Sequence, residues 1–250
     1  MEIIGPLIIT TLAGLSTVLG GLIVLFKIKN REGFISFALS FSASVMISLS
    51  ILDLIPSSFK EINLKYSFFE SVLIFLSLFV VGVVLVNFIN KKLNNFKNNN
   101  NYSLYKLGIL SMIALALHNF PEGIATFMTS YSDLSLGLSL AIAIMMHNIP
   151  EGISIAVPLY YATGKKGKGI LYSFISGLAE PLGAIVTYIF LKKYINMITI
   201  SYVLILVAGI MISLAINELY PEAIKYSKKK QVNLGLLLGF LLVIINHIIF

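Results

Sequence analysis

LGILSMIALALHNFPEGIATFMT, from Leu107 to Thr129, and SLGLSLAIAIMMHNIPEGISIAVPL, from Ser135 to Leu159, are two apolar runs with a polar cluster in the middle of each. His118-Asn119-Phe120-Pro121-Glu122-Gly123 recurs twenty-nine positions later as His147-Asn148-Ile149-Pro150-Glu151-Gly152. Both runs are long enough to cross a bilayer as helices. Lipid offers no hydrogen bonds to the backbone, so runs of this length predict helices. A carboxylate at the centre of such a helix costs about 2.5–3.5 kcal/mol on insertion scales. Finding one twice, in the same order among the same neighbours, points to a site rather than to packing.

Working outward, six further apolar runs reach spanning length. The eight lie near 3–26, 34–56, 68–90, 107–129, 135–159, 169–191, 199–221 and 232–249. Only 12% of the 250 residues are charged, against about 25% in soluble domains. The mean hydropathy is +0.94. The expectation is an all-α membrane protein, one transmembrane domain over 1–250. The first run lacks a basic leader and an A-x-A-like cleavage site, so it reads as the first span rather than a signal peptide. There is no Cys, which excludes disulfides and a thiolate metal site.

The net charge of +7 does not point to nucleic acid, because the basic residues sit in short loops between apolar runs. Fourteen of the 18 Lys and Arg residues fall in the loops after runs 1, 3, 5 and 7. The other four are Lys60, Lys65, Lys192 and Lys193. The positive-inside rule then predicts both termini on the extracytoplasmic side. The loop over 91–106 is rich in Asn and Lys, and its composition predicts a flexible cytoplasmic linker.

An internal repeat is visible. ASVMISLSILDLIP, Ala43 to Pro56, aligns with AGIMISLAINELYP, Ala208 to Pro221, at eight identities in fourteen, with Asp53 opposite Glu218. GLSTVLGG from Gly14 aligns more weakly with GLAEPLGA from Gly177, Thr17 standing opposite Glu180. Both pairs relate span n to span n+5. An odd offset reverses direction through the membrane, so the pattern predicts an inverted repeat of the kind found in secondary transporters. The arrangement is three helices, two helices, three helices, with the paired motifs on the central two.

Helical periodicity places residues i, i+3 and i+4 on one face. His118 and Asn119 therefore share a sector with Glu122, and His147 and Asn148 share one with Glu151. Two such helices offer six donors, enough for one metal ion or for two with bridging carboxylates. Pro121 and Pro150 cannot donate to the carbonyls four residues earlier, and each is expected to kink its helix beside the ligands. Glu180 carries the same insertion cost and joins the candidate set. Met46, Asp53, Asn217 and Glu218 are additional candidates for the metal or its pathway. Imidazole, carboxylate and amide together suit Zn²⁺, Fe²⁺, Mn²⁺, Co²⁺ or Cd²⁺. The nitrogens argue against a pure Ca²⁺ or Mg²⁺ cage.

With these motifs in view, the chain resembles the ZIP family of divalent metal transporters, and within it the bacterial zinc-uptake proteins. HNFPEG, HNIPEG, SGLAEPLGA (Ser176 to Ala184) and AGIMISLAINELYPEA (Ala208 to Ala223) carry the resemblance in order along the whole chain. The resemblance implies Zn²⁺ uptake with wider divalent tolerance, a homodimer and a binuclear centre. His118, Glu122, His147 and Glu151 would frame one position. Asn119, Glu122, Asn148, Glu151 and Glu180 would frame the next, and Met46 would add a soft ligand. Many members carry a histidine-rich loop after the third span, where this chain is asparagine-rich. An alternative reading, an intramembrane metal-dependent hydrolase or protease, lacks an H-E-x-x-H helix. No Walker A motif or organic-cofactor signature is present, so the expected role is a secondary transporter rather than an enzyme.

Overall fold

The computed structural model describes residues 3–94, 102–191, 196–226 and 228–249. Lys192, Lys193 and the asparagine-rich stretch 95–101 lie outside the described residues.

Among the described residues, eight helices are long and apolar enough to cross a membrane. They are α1 (Ile4–Leu25), α2 (Arg31–Asn63), α3 (Phe68–Leu93), α4 (Ser103–Ser132), α5 (Leu134–Thr163), α6 (Lys166–Phe190), α7 (Met197–Lys225) and α8 (Lys229–Ile249). Local chemistry sets several of their ends. The Asn30 side chain accepts from the N–H of Gly33 at the start of α2, and Asn196 accepts from Thr199 at the start of α7. Such N-caps satisfy amides that have no partner within the helix. Gly164 ends α5 with φ at +69°, a left-handed conformation that glycine adopts without penalty.

The turn between α4 and α5 positions the paired motifs. It is a single residue, Asp133, whose carboxylate caps α5 by accepting from Ser135 and Leu136. His118 lies fifteen residues before Asp133 and His147 fourteen after it. At 1.5 Å per residue both motifs sit about 21–22 Å from the turn. A tight antiparallel hairpin therefore brings them to one level.

α4 and α5 pack on each other, with α1 against α5 and α6 against α4. Outside this group α2 packs on α8 and α3 on α7. An apolar core joins α2, α4, α5 and α7 through Leu39, Leu110, Leu115, Leu159 and Ile210. The serines of α2 act as interhelical donors. Ser36 donates to the Ala223 carbonyl, Ser42 to that of Pro150, and Ser44 to that of Leu236. Hydroxyls of this kind tie helices together where apolar burial supplies no drive. α3 has little buried surface and presents Leu73, Leu76, Val80 and Val84 outward.

Pro121 and Pro150 lie inside continuous helices. A proline forfeits one hydrogen bond, and packed neighbours can re-satisfy the freed groups. α6 is interrupted at Leu178, just before Glu180-Pro181. One expectation is revised. Spans 2 and 7 were expected to end at Pro56 and Pro221, but both continue, to Asn63 and Lys225. The reason is a π-helical turn just before each proline, Ser50–Leu54 and Ala215–Leu219. The wider i→i+5 turn lets the helix continue past a residue that cannot donate. These two turns occupy the same positions in the sequence alignment of Ala43–Pro56 with Ala208–Pro221.

Contacts at glycine follow the alignment of GLSTVLGG with GLAEPLGA. A side chain on Gly14 would strike the carbonyl of Gly177, and one on Gly177 would strike that of Gly14. A side chain on Gly152 would strike the Thr17 carbonyl, and one on Gly123 that of Glu180. These helices thus cross backbone to backbone, which only small residues permit.

Candidate metal centre

His118, Glu122 and His147 each offer a ligand atom within 4.8 Å of the others. One carboxylate oxygen of Glu122 lies 3.2 Å from His118 Nε2 and 3.1 Å from His147 Nε2. Glu151 joins through an oxygen 3.3 Å from His118 Nε2. The first contact is the i,i+4 relation read from the sequence. The other two run between α4 and α5 and exist because the hairpin sets both motifs at one level. All four residues are buried.

The two asparagines spend their amide nitrogens on backbone. Asn119 Nδ2 donates to the Ser176 carbonyl at 3.3 Å, one turn of α6 before Glu180. Asn148 Nδ2 donates to the Ala13 carbonyl of α1 at 3.0 Å and to Glu180 Oε1 at 2.5 Å. Both amide oxygens are buried and have no hydrogen-bond partner among the described residues. The same holds for Glu122 Oε2, Glu180 Oε2 and both ring Nδ1 atoms. Buried polar atoms in native proteins are nearly always satisfied, so this many orphans in one place ask for a ligand. Glu180 is fully buried, and its backbone carbonyl lies against Gly123. Three carboxylates among imidazoles and amides, under apolar helices, form a donor set suited to a divalent cation of the zinc type.

A cavity of about 640 Å³ opens beside this cluster. Glu122 and His147 line its inner end, and Asp53, Ser57, Asn246 and His247 also line it.

The remaining sequence candidates have other neighbours among the described residues. Met46 is fully buried in the apolar core, among α2, α4, α5 and α7. Asp53 pairs with His247 Nδ1 at 2.5 Å. Asn217 bonds to Ser213 on its own helix. Glu218 accepts from Asn90 of α3 and pairs with Lys106 of α4 at 3.4 Å. Among the described residues Glu218 thus meets a lysine, because α4 begins before Lys106, whereas Asp53, Glu122, Glu151 and Glu180 have imidazole or amide neighbours. His247, Asn246 and Glu222 went unassigned from sequence. Glu222 is buried and bonds Ser103 and Lys225.

Comparison with known proteins bears on the chain as a whole. The family model described as ZIP Zinc transporter matches residues 100–247, which contain both paired motifs and Glu180. A zinc transporter ZupT of Streptococcus mutans is 38% identical over 97% of this chain and 96% of its own. One from Chlorobium limicola is 40% identical over 93% of each, and one from Campylobacter jejuni 35% over 95% and 94%. Eight spanning helices and near full-length similarity to these transporters make this a multi-pass protein of the cell membrane, and the chain belongs to the ZIP zinc transporter family.

Proposed function

We propose that the chain takes up Zn²⁺ across the cell membrane as a secondary transporter, through a metal site on α4 and α5 completed by Glu180 of α6. The observation that carries this reading is the buried quartet of His118, Glu122, His147 and Glu151, joined by contacts of 3.1–3.3 Å. The relatives named for zinc transport support zinc as the substrate. Fe²⁺, Mn²⁺, Co²⁺ and Cd²⁺ share the ligand preferences of the site and belong to the same proposal. In it, the carboxylates neutralise the ion while imidazole and amide shape selectivity.

The proposed orientation has both termini outside the cytoplasm, as the lysine distribution predicts. Alternating access would follow from an inverted 3+2+3 repeat. The aligned π turns of spans 2 and 7 and the paired glycine contacts of spans 1 and 6 support that repeat. An inside-negative potential of 100 mV favours inward movement of a divalent ion by about 4.6 kcal/mol. The outward apolar face of α3 suits lipid or a second copy of the chain, and the homodimer implied by the resemblance stays within this proposal. The hydrolase reading has no observation in its favour.

The test is uptake of labelled zinc into proteoliposomes. The wild-type chain is expected to accumulate zinc under an inside-negative potential, and Glu122→Ala with Glu151→Ala to abolish accumulation. Retained activity in that double variant would overturn the site.

A further inference from the structure

The cavity that begins at Glu122 and His147 ends in a second pair of ligand-type side chains. His247 Nδ1 of α8 lies 2.5 Å from an oxygen of Asp53 in α2. Side-chain exposure rises along the cavity, from 5% at Glu122 and 6% at His147 to 29% at Asp53 and 54% at His247. The Asp53–His247 pair therefore marks the rim and the Glu122–His147 pair the floor. Asn246 lines the same cavity and is 6% exposed. Its Nδ2 reaches the Ala143 carbonyl at 3.4 Å, and its Oδ1 has no partner among the described residues. Imidazole and carboxylate thus recur at the rim, and Asn246 adds a buried amide oxygen to the wall of the same cavity.

We propose that Asp53 and His247, with the Asn246 amide oxygen, form a weak capture site for a divalent cation at the mouth of the cavity. The proposal rests on the uptake reading given above. The lysine distribution puts the ends of α2 and α8 on the extracytoplasmic side, where an imported ion arrives. Few protein ligands and much solvent make binding loose, and an ion destined for the deeper site must leave again. Ser57 and Ser139 line the wall between and supply hydroxyl oxygens along the way. The competing role is a clasp holding the end of α8 to α2. An exposed ion pair contributes little to stability, so that role alone explains neither the imidazole nor the orphan amide oxygen.

Two measurements test the site. Zinc titrated calorimetrically into the detergent-purified chain is expected to show one fewer site in the Asp53→Asn, His247→Gln variant. Unchanged stoichiometry overturns the proposal. In proteoliposomes the same variant is expected to raise the KM for zinc roughly tenfold, with a smaller effect on the maximal rate. An unchanged KM overturns it as well. Asp53→Lys with His247→Glu keeps an ion pair and removes the imidazole. A raised KM in that variant supports ligation, whereas a wild-type KM means the pair is a clasp. Should the wild-type chain fail to move zinc, the uptake reading falls while the calorimetry still decides the rim site.

Discussion

Glu122 holds one oxygen against both histidines while its other oxygen has no partner among the described residues. Among the described residues it is the one carboxylate that touches both copies of the motif's imidazole. Glu122→Gln keeps the shape and removes the charge. It is expected to lower zinc affinity by at least the about 10–100-fold that loss of a supporting partner costs at a metal site, read by calorimetry in detergent. Asn148 has a different task. One amide nitrogen serves both the Ala13 carbonyl and Glu180. Asn148→Ala would leave a buried carboxylate oxygen unpaired, at about 1–3 kcal/mol or more. The expected result is a lower unfolding temperature without zinc, partly recovered when zinc is added, because a ligand that binds only the folded state stabilises it.

At the scale of elements, the site depends on how closely the helices approach. Gly123 lets α4 lie on the Glu180 carbonyl, and Gly152 lets α5 lie on that of Thr17. Valine at either position would force backbone apart. Each of Gly123→Val and Gly152→Val is expected to destabilise by about 1–3 kcal/mol or more, measured by thermal unfolding in detergent. Gly123→Val is also expected to weaken zinc binding more, because it displaces Glu180 directly. The π turns before Pro56 and Pro221 belong to this scale too. They carry Asp53 and Glu218, and they turn two helices that the prolines would otherwise stop.

At the scale of the whole molecule, orientation and partners of opposite ends become testable because the chain has no Cys. A single cysteine in place of Lys65, between α2 and α3, is expected to react with an impermeant maleimide in intact cells. One in place of Lys165, between α5 and α6, is expected to react only after the membrane is opened. The reverse pattern would invert the assigned topology. On the side opposite the rim pair, Glu218 ties α7 to Asn90 of α3 and Lys106 of α4, and Glu222 ties it to Ser103. Those bonds close that end of α7 against its neighbours, while the cavity opens at the other end.

The helices and the central candidate ligands were readable from residues alone, because the terms that decide them are local. Span length follows from hydropathy, and the pairing of His118 with Glu122 follows from helical pitch. A carboxylate at mid-membrane is costly in any span, which marks it in the sequence before its neighbours are known. The single-residue turn at Asp133 then carries the two motifs to one level, and its capping side chain was also present in the sequence. Other features needed the packed molecule. Asp53 meets His247 across 194 positions only because α2 lies against α8. Glu218 meets Lys106 only because α7 lies against α4. Met46, a candidate ligand by type, packs in the apolar cluster that joins α2 to α4, α5 and α7. The sequence by itself determined which residues could bind a metal and at what depth. Which of them share one ion's reach, and which open onto a cavity, was decided by helix packing, because hydropathy and periodicity act along one helix and say nothing of which helix it will meet.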